Sequence, residues 1–386
     1  MKTQSPYLKV IKMLGSALVT ILSLCFTCVI VLVLIFAQGS SETVYSPSGS
    51  NHQLTTQFNM FITNVFSESL GNILKIDKMY FLNENEPIAP EPNQDKFGQT
   101  TNPADLQWLL NDASDILDGQ RTLFSTDIEI FEGSQVNYYL DETIFTVTWK
   151  QVINNIVYTI SEVKIAHPSQ FRRFIADNQF SSSRKYLTSQ MATTVNAVVA
   201  SAGDFCKYRY DGITVYNRVI ERVSGVNLDT CFVDSNGDLL FSPAGELIDL
   251  PSVEKYVSEN DIRFSICFGP ILINNYTRCE PDYRYPIGEI SQEFSRAALC
   301  QMDSLHYLLI TANAEGMHRM YPNIHTFADV IESFGVKHAY TLDGGQTATI
   351  VMNDKVINQV NYGAERLISD IIYFATAIPE TETTGS

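Results

Sequence analysis

The sequence predicts an α+β domain built on a mixed β-sheet, carried behind a single N-terminal transmembrane helix and a helical membrane-proximal segment. Three observations lead there. Met13 to Ala37 holds 25 residues without a charge. From Thr126 onward the chain turns to short runs dense in β-branched and aromatic residues, and helical periodicity returns only in brief stretches between them. Strands interleaved with few helices fit α+β better than a regular βαβ winding.

The apolar run comes first. As a helix it extends roughly 37 Å, enough to cross a hydrocarbon core of about 30 Å with some tilt. A cleavable signal peptide has a shorter apolar region, about 7–15 residues, ending in small residues. Here Ile35-Phe36-Ala37 closes a much longer run, so an uncleaved anchor is expected. The basic flank Lys2, Lys9 and Lys12 belongs in the cytoplasm, which places residues 38–386 outside. Cys25 and Cys28 inside the run read as apolar filler.

Beyond the anchor, Leu54, Phe58, Phe61, Ile62, Val65 and Phe66 share one helical face over 52–70. Asn83 to Gln99 is Pro-rich, acidic and aperiodic, which reads as an extended linker. A helix then opens with Asn102 as N-cap and Pro103 at its first position, and Gly119 closes it. The strand-like runs are TDIEIF, QVNYYL, TIFTVTW and NIVYTISEVKIA. They continue, after a helix-like SQMATTV, with NAVVASA, IRFSICFGPILI, RAALCQM and HYLLITANA. Thr326 with Asp329 resembles a capping pair for a helix through Phe334, ended by Gly335. AYTL, TATIVM and DIIYF follow, and PETETTGS is expected to be disordered. The layout is thus a tail (1–12), anchor (13–37), helical segment (38–82), linker (83–101), helix with the first strands (102–149), main domain (150–377) and tail (378–386).

Charge excludes one class of function. Acids outnumber bases 43 to 26, for a net charge of −17. Phosphate backbones demand a basic face, so nucleic acid is excluded as a partner, and docking on anionic lipid is disfavoured. Five cysteines lie outside the anchor (Cys206, Cys231, Cys267, Cys279, Cys300), an odd number that leaves at least one free or paired between chains. None shows zinc-site spacing, and the six histidines form no metal-ligand pattern; His318 and His325 are the nearest pair. No metal and no cofactor is therefore expected. Phosphate-binding glycine loops and the common nucleophile motifs are absent.

Two Gly-Asp clusters stand out. Gly203-Asp204 follows NAVVASA, and Asp343-Gly344-Gly345 follows AYTL. Each puts a carboxylate where an apolar strand ends, beside glycine that lets a ligand approach the backbone. Turn chemistry is the alternative, since Asp-Gly favours hairpins. Arg296 opens RAALC, and Arg366 precedes DIIYF. An arginine there makes a surface or structural ion pair, or grips a phosphate bidentately.

In this order, MATTVNAVVASAGDF, FGPILI, RAALC, HTFADVIESFGVKHAYTLDGGQTATIVMNDKVIN and ERLISDIIYF resemble the phosphodiester glycosidase family over roughly residues 150–377. The resemblance implies an α+β domain that hydrolyses a sugar-1-phosphodiester in cell-surface or exopolysaccharide material, with a glycosyl phosphodiester or surface polysaccharide as partner. The family's positions fall on Asn196, Gly203, Asp204, Gly269, Pro270, Arg296, Asp343, Gly344, Gly345, Arg366 and Asp370. Asp343 and Asp204 are then the expected catalytic pair. Arg296 and Arg366, with Gly344, Gly345 and Asn196, are expected to hold the phosphate and substrate. This chain departs from the family at Ala202, at Gln346-Thr347, and at Asn313-Ala314-Glu315-Gly316. Those departures favour an alternative function, a non-catalytic wall- or exopolysaccharide-binding protein that retains the fold.

Overall fold

The computed structural model describes residues 81–101 and 134–378, apart from positions 205, 209, 226, 283, 287 and 288. The anchor expected over 13–37, the helix over 52–70, the helix opening at Asn102, the run TDIEIF and the tail from 379 lie outside the described residues. Among the described residues no helix is long and apolar enough to cross a membrane.

The domain is layered. Its largest sheet has nine strands in the order Phe97–Thr100, Val136–Leu140, Ile144–Ile153, Ile156–Ile165, His306–Asn313, Arg296–Asp303, His338–Leu342, Ile271–Asn274, Thr277–Arg278. A five-stranded sheet runs Lys355–Val356, Ile350–Met352, Val199–Ala202, Asp370–Phe374, Phe171–Ile175. Smaller sheets pair Gly212–Tyr216 with Val219–Ser224, and Thr230–Asp234 with Leu239–Ser242 and Ile262–Ile266.

Side-chain alternation explains the stacking. Ala298 and Cys300 face the helix Ile324–Ser333 through one core, while Ala297 and Leu299 face the five-stranded sheet through another. In the second sheet, Ile372 and Phe374 enter that shared core, and Ile371 and Tyr373 turn to the helix Thr188–Thr194. Strands covered on both faces read as continuous apolar runs, which is why RAALCQM and DIIYF showed little period-two pattern.

The sheets correct the expectation of a mixed arrangement: the described strand pairings are antiparallel. Parallel pairs need crossovers of a dozen or more residues, whereas tight turns join many neighbours here. Asn154-Asn155 and Asn353-Asp354 take left-handed conformations at both turn positions, the geometry that matches strand twist in a two-residue hairpin. The helix near the C-terminal half also begins differently. Asn323, not Thr326, is its N-cap, with its side-chain oxygen accepting from the Thr326 N–H at 2.9 Å.

Asn83 to Gln99 is extended but is no free linker. Arg172 Nη2 donates to the carbonyls of Asn83 (2.7 Å) and Glu86 (2.5 Å), and Tyr373 Oη donates to that of Pro87 (2.5 Å). Leu82 and Ala89 are buried in the core under the helix Thr188–Thr194. The segment is a strap on the domain, and its end enters the nine-stranded sheet as Phe97–Thr100. None of the five described cysteines is in a disulfide.

Candidate active site

Two strand ends meet at the Gly-Asp clusters. The Asp343 N–H donates to the Gly203 carbonyl at 3.2 Å, so the Asp343 turn after His338–Leu342 abuts the Asp204 turn after Val199–Ala202. Backbone proximity does not give the two carboxylates the same surroundings.

Asp204 is fully buried in an ion triad. Its Oδ1 lies 2.9 Å from Arg173 Nη2, which is also 2.8 Å from Asp370 Oδ2. Arg173 Nε donates to the same Asp370 oxygen at 3.0 Å, and Nη1 donates to the Ser265 carbonyl. Backbone N–H groups complete Asp204: Cys206 donates to Oδ1 and Cys267 to Oδ2, each at 2.7 Å. Burial opposes the charge on Arg173, but the Asp204 and Asp370 carboxylates outweigh it and its pKa rises. Asp370 is pushed up to about 7 by burial, with Asp204 adding to the shift and Arg173 opposing it. Asp204, Cys206 and Asp370 have ligand atoms within 4.8 Å of one another. A guanidinium already supplies the cation there, so the donor set is matched without a metal ion.

Gly203 is required by the triad, because a Cβ on it would stand 2.0 Å from Asp370 Oδ2. Gly344 is required by backbone packing: a Cβ there would stand 2.5 Å from the Ser295 carbonyl. Gly345 differs. Its φ of +62° suits glycine, its N–H donates to Ser295 O at 2.7 Å, and the space where a Cβ would point is open.

Asp343 keeps a sliver of its side chain in solvent, 12%, and its Oδ2 accepts from Arg366 Nη2 at 3.0 Å. Arg366 is more open, at 38%. Its loop is bolted down around the site. Gln346 Nε2 donates to Ala364 O at 2.9 Å, and Ser189 donates through N and Oγ to Glu365 at 2.9 and 2.6 Å. Tyr208 Oη donates to Leu367 O. The Tyr208 ring carries two cations, with Arg366 Cζ 5.2 Å and Lys185 Nζ 3.6 Å from its centre.

Two expected site residues turn elsewhere. Arg296 is buried and donates through Nη2 to the carbonyls of Glu289 (3.0 Å) and Gln292 (2.6 Å), and through Nε to that of Pro322 (3.5 Å). Burial lowers its pKa to about 10, with Glu289 opposing that shift. It ties two loops together rather than presenting an open fork to phosphate. Asn196 follows the helix Thr188–Thr194 at φ +56°, and its Nδ2 donates to Ala89 O at 2.8 Å. It sits before Val199–Ala202 while Asp204 lies beyond that strand, whose four residues alone extend about 13 Å. Its role is to end the helix and hold the strap.

Arg173 was missed, and so were Tyr208 and Lys185. The signal that could have found Arg173 is a pair of arginines inside the Phe/Ile run FRRFI. His318 and His325 do not act together: His318 Nδ1 bonds Asn155 Oδ1 at 2.9 Å, and His325 lies 3.4 Å from Glu280.

Residues 194–375 match the family model described as phosphodiester glycosidase. Among solved structures, the chain is similar to the zebrafish N-acetylglucosamine-1-phosphodiester alpha-N-acetylglucosaminidase catalytic domain auto-inhibited by pro-peptide. Identity is 15%, coverage is 60% of this chain and 83% of that one, and the TM-score is 0.47. A hypothetical protein from Synechocystis matches at 12% identity, over 62% of this chain and 63% of that one, with a TM-score of 0.46. A putative exported protein from Burkholderia pseudomallei matches at 12% identity, over 57% and 74%, with a TM-score of 0.34. No curated protein matches. The resemblance carried by the motifs thus coincides with a match to the phosphodiester glycosidase family model over residues 194–375.

Proposed function

We propose that the chain is a membrane-anchored, extracytoplasmic hydrolase that cleaves a glycosyl-1-phosphodiester of cell-surface or exopolysaccharide material at Asp343 and Arg366. The observation that carries this reading is their 3.0 Å ion pair, part-open to solvent beside the unobstructed face of Gly345.

The reaction breaks the bond between the anomeric carbon and the phosphate oxygen. The leaving phosphate spreads its charge over its oxygens, so stabilising that charge matters more than protonating it. Arg366 donates to Asp343 Oδ2 and its side chain is 38% open to solvent, so the guanidinium can meet the phosphate on that open side. Asp343 acts as the base that removes a proton from the attacking water. Asp204, with both oxygens engaged inside the triad, is assigned a positioning role: it fixes the Gly203 turn against which Asp343 rests. Tyr208 backs the guanidinium, and Lys185 adds a second positive charge in an otherwise acidic protein.

The test is hydrolysis of methyl N-acetylglucosamine-1-phosphate by full-length protein in detergent micelles, beside Asp343→Ala and Arg366→Ala. Loss of at least a hundredfold in kcat/KM in both variants is expected, with unchanged thermal unfolding. Activity surviving in both would move the chemistry elsewhere. A folded but inert wild type, across several glycosyl phosphodiesters, would favour the polysaccharide-binding alternative. For the anchor, full-length protein should sediment with membranes and its domain should be cut by protease added outside intact cells; protection would reverse the topology.

A further inference from the structure

A second open site adjoins the first. Asn313, Arg296 and Leu342 lie at the same end of the nine-stranded sheet, because Ala312 pairs with Arg296 and Ala297 pairs with Leu342. The Asp343 turn leaves from one of these strands. The turn at Glu315 leaves from another, two strand spacings or about 10 Å across. Outside that turn lies a groove of about 630 Å³, within the usual range for binding sites. A hollow of about 260 Å³ continues it, sharing Gln99, Asn137, Lys355 and Ile357.

One segment links groove and active site. Ile357 lines the groove, Asn358 Nδ2 donates to Asn313 Oδ1 at 3.1 Å, and Gly316 N donates to Gln359 Oε1 at 3.3 Å. Asn361 Oδ1 then accepts from Ser295 Oγ at 2.8 Å, and five residues on stands Arg366. The chain from 357 to 366 is thus a fixed rim running from the groove to the Asp343–Arg366 pair.

The walls say what kind of molecule fits. Lys150 and Glu315 meet at 2.5 Å and neutralise each other inside the groove, which leaves Lys355 at the rim as the further charged side chain of its lining. Its polar floor is a ladder of amides, with Gln135 Nε2 on Gln99 Oε1 at 2.8 Å and Gln99 Nε2 on Asn137 Oδ1 at 2.6 Å. Amides offer donors and acceptors together, as sugar hydroxyls do. Val152 and Met317, 50% and 88% exposed, supply apolar surface for the C–H faces of a sugar ring. From this we propose that the groove is a glycan subsite, holding uncharged sugar units of a polymer whose phosphodiester is presented at Asp343.

The proposal rests on the glycosidase reading for its link to catalysis, and its test separates the two. Full-length protein in micelles is applied to an array of microbial oligosaccharides, beside Gln99→Ala/Asn137→Ala and beside Lys355→Trp. Lys355 is exposed at the rim of both hollows, so filling there leaves folding intact. Glycans retained by the wild type should be bound at least tenfold more weakly by both variants, while hydrolysis of the small methyl diester is unchanged. No retained glycan, or equal retention by both variants, overturns the subsite. Glycan retention lost in the variants while the wild type cleaves no diester would uphold the groove and sink the glycosidase reading. Parallel loss of methyl-diester hydrolysis in the variants would overturn the separation of subsite from reaction centre.

Discussion

At the scale of single residues, the charge on Arg173 decides what Asp204 can be. Two carboxylates and a guanidinium are withdrawn from water together, and each is tolerable only because the others are present. Arg173→Met should therefore destabilise the domain by about 3–5 kcal/mol, the usual cost of stranding buried charge. Adding Asp370→Asn should recover part of it, read from urea midpoints. The triad also sets a pH dependence. Asp370 titrates near 7 in the fold, well above an ordinary carboxyl, so between about pH 4 and 7 the folded protein holds a proton that the unfolded chain has lost. That contribution is fully present in acid and disappears as pH rises through 7. Asp370→Asn should flatten the decline in stability between about pH 4 and 7, and an unchanged slope would assign that decline to other groups. Asp204 was legible as a strand-end carboxylate but not as half of this triad, because its partners lie 31 and 166 residues away and only folding brings them together.

At the scale of elements, the proposed reaction falls on a loop rather than a strand, and a buried arginine fixes the neighbouring loops. Arg296 opens its strand at the position expected of a phosphate grip, yet it spends its donors on the carbonyls of Glu289, Gln292 and Pro322. A lysine has no planar fork to reach several carbonyls at once. Arg296→Lys is expected to destabilise by about 1–3 kcal/mol and to raise amide exchange over 289–292 and 320–323. Its KM for the methyl diester should stay within twofold; a tenfold rise would restore Arg296 to the substrate. Strand-rich texture, the helices Thr188–Thr194 and Ile324–Ser333 and the Gly335 stop were legible because they rest on local chemistry, whereas the helix Leu250–Glu259 was not read. The sheet order and the true cap at Asn323 were not. Neighbouring strands such as Ile156–Ile165 and His306–Asn313 lie about 150 residues apart in sequence, and Asn323 and Thr326 both offer capping side chains until backbone geometry selects one.

At the scale of the whole molecule, the N-terminal limit of the domain lies earlier than the resemblance to a family alone would put it. That resemblance begins near residue 150, yet residues 81–100 belong to the same packed body through the strap and an edge strand. Glu84 is the strap's main electrostatic anchor, 2.6 Å from the buried Arg263 and 2.9 Å from Arg218. Its pKa is lowered even though burial works the other way, because both arginines hold it charged. Composition hid this: a stretch of Pro, Asn and acids looks solvated when the arginines that bind it are unknown. The consequence is a test by truncation. A chain beginning at residue 81 keeps the strap; one beginning at 102 leaves Arg263 buried without its carboxylate and uncovers the core around Leu82 and Ala89. The loss should be at least about 3 kcal/mol, the lower end for a broken buried pair. For a body of about 300 residues, with an unfolding entropy of about 2.1 cal/mol/K per residue, that corresponds to a fall in Tm of at least about 5 °C. Glu84→Gln in the longer chain should reproduce part of the fall. If chains beginning at 81 and 102 melt together, the strap is an accessory laid on a body already complete without it.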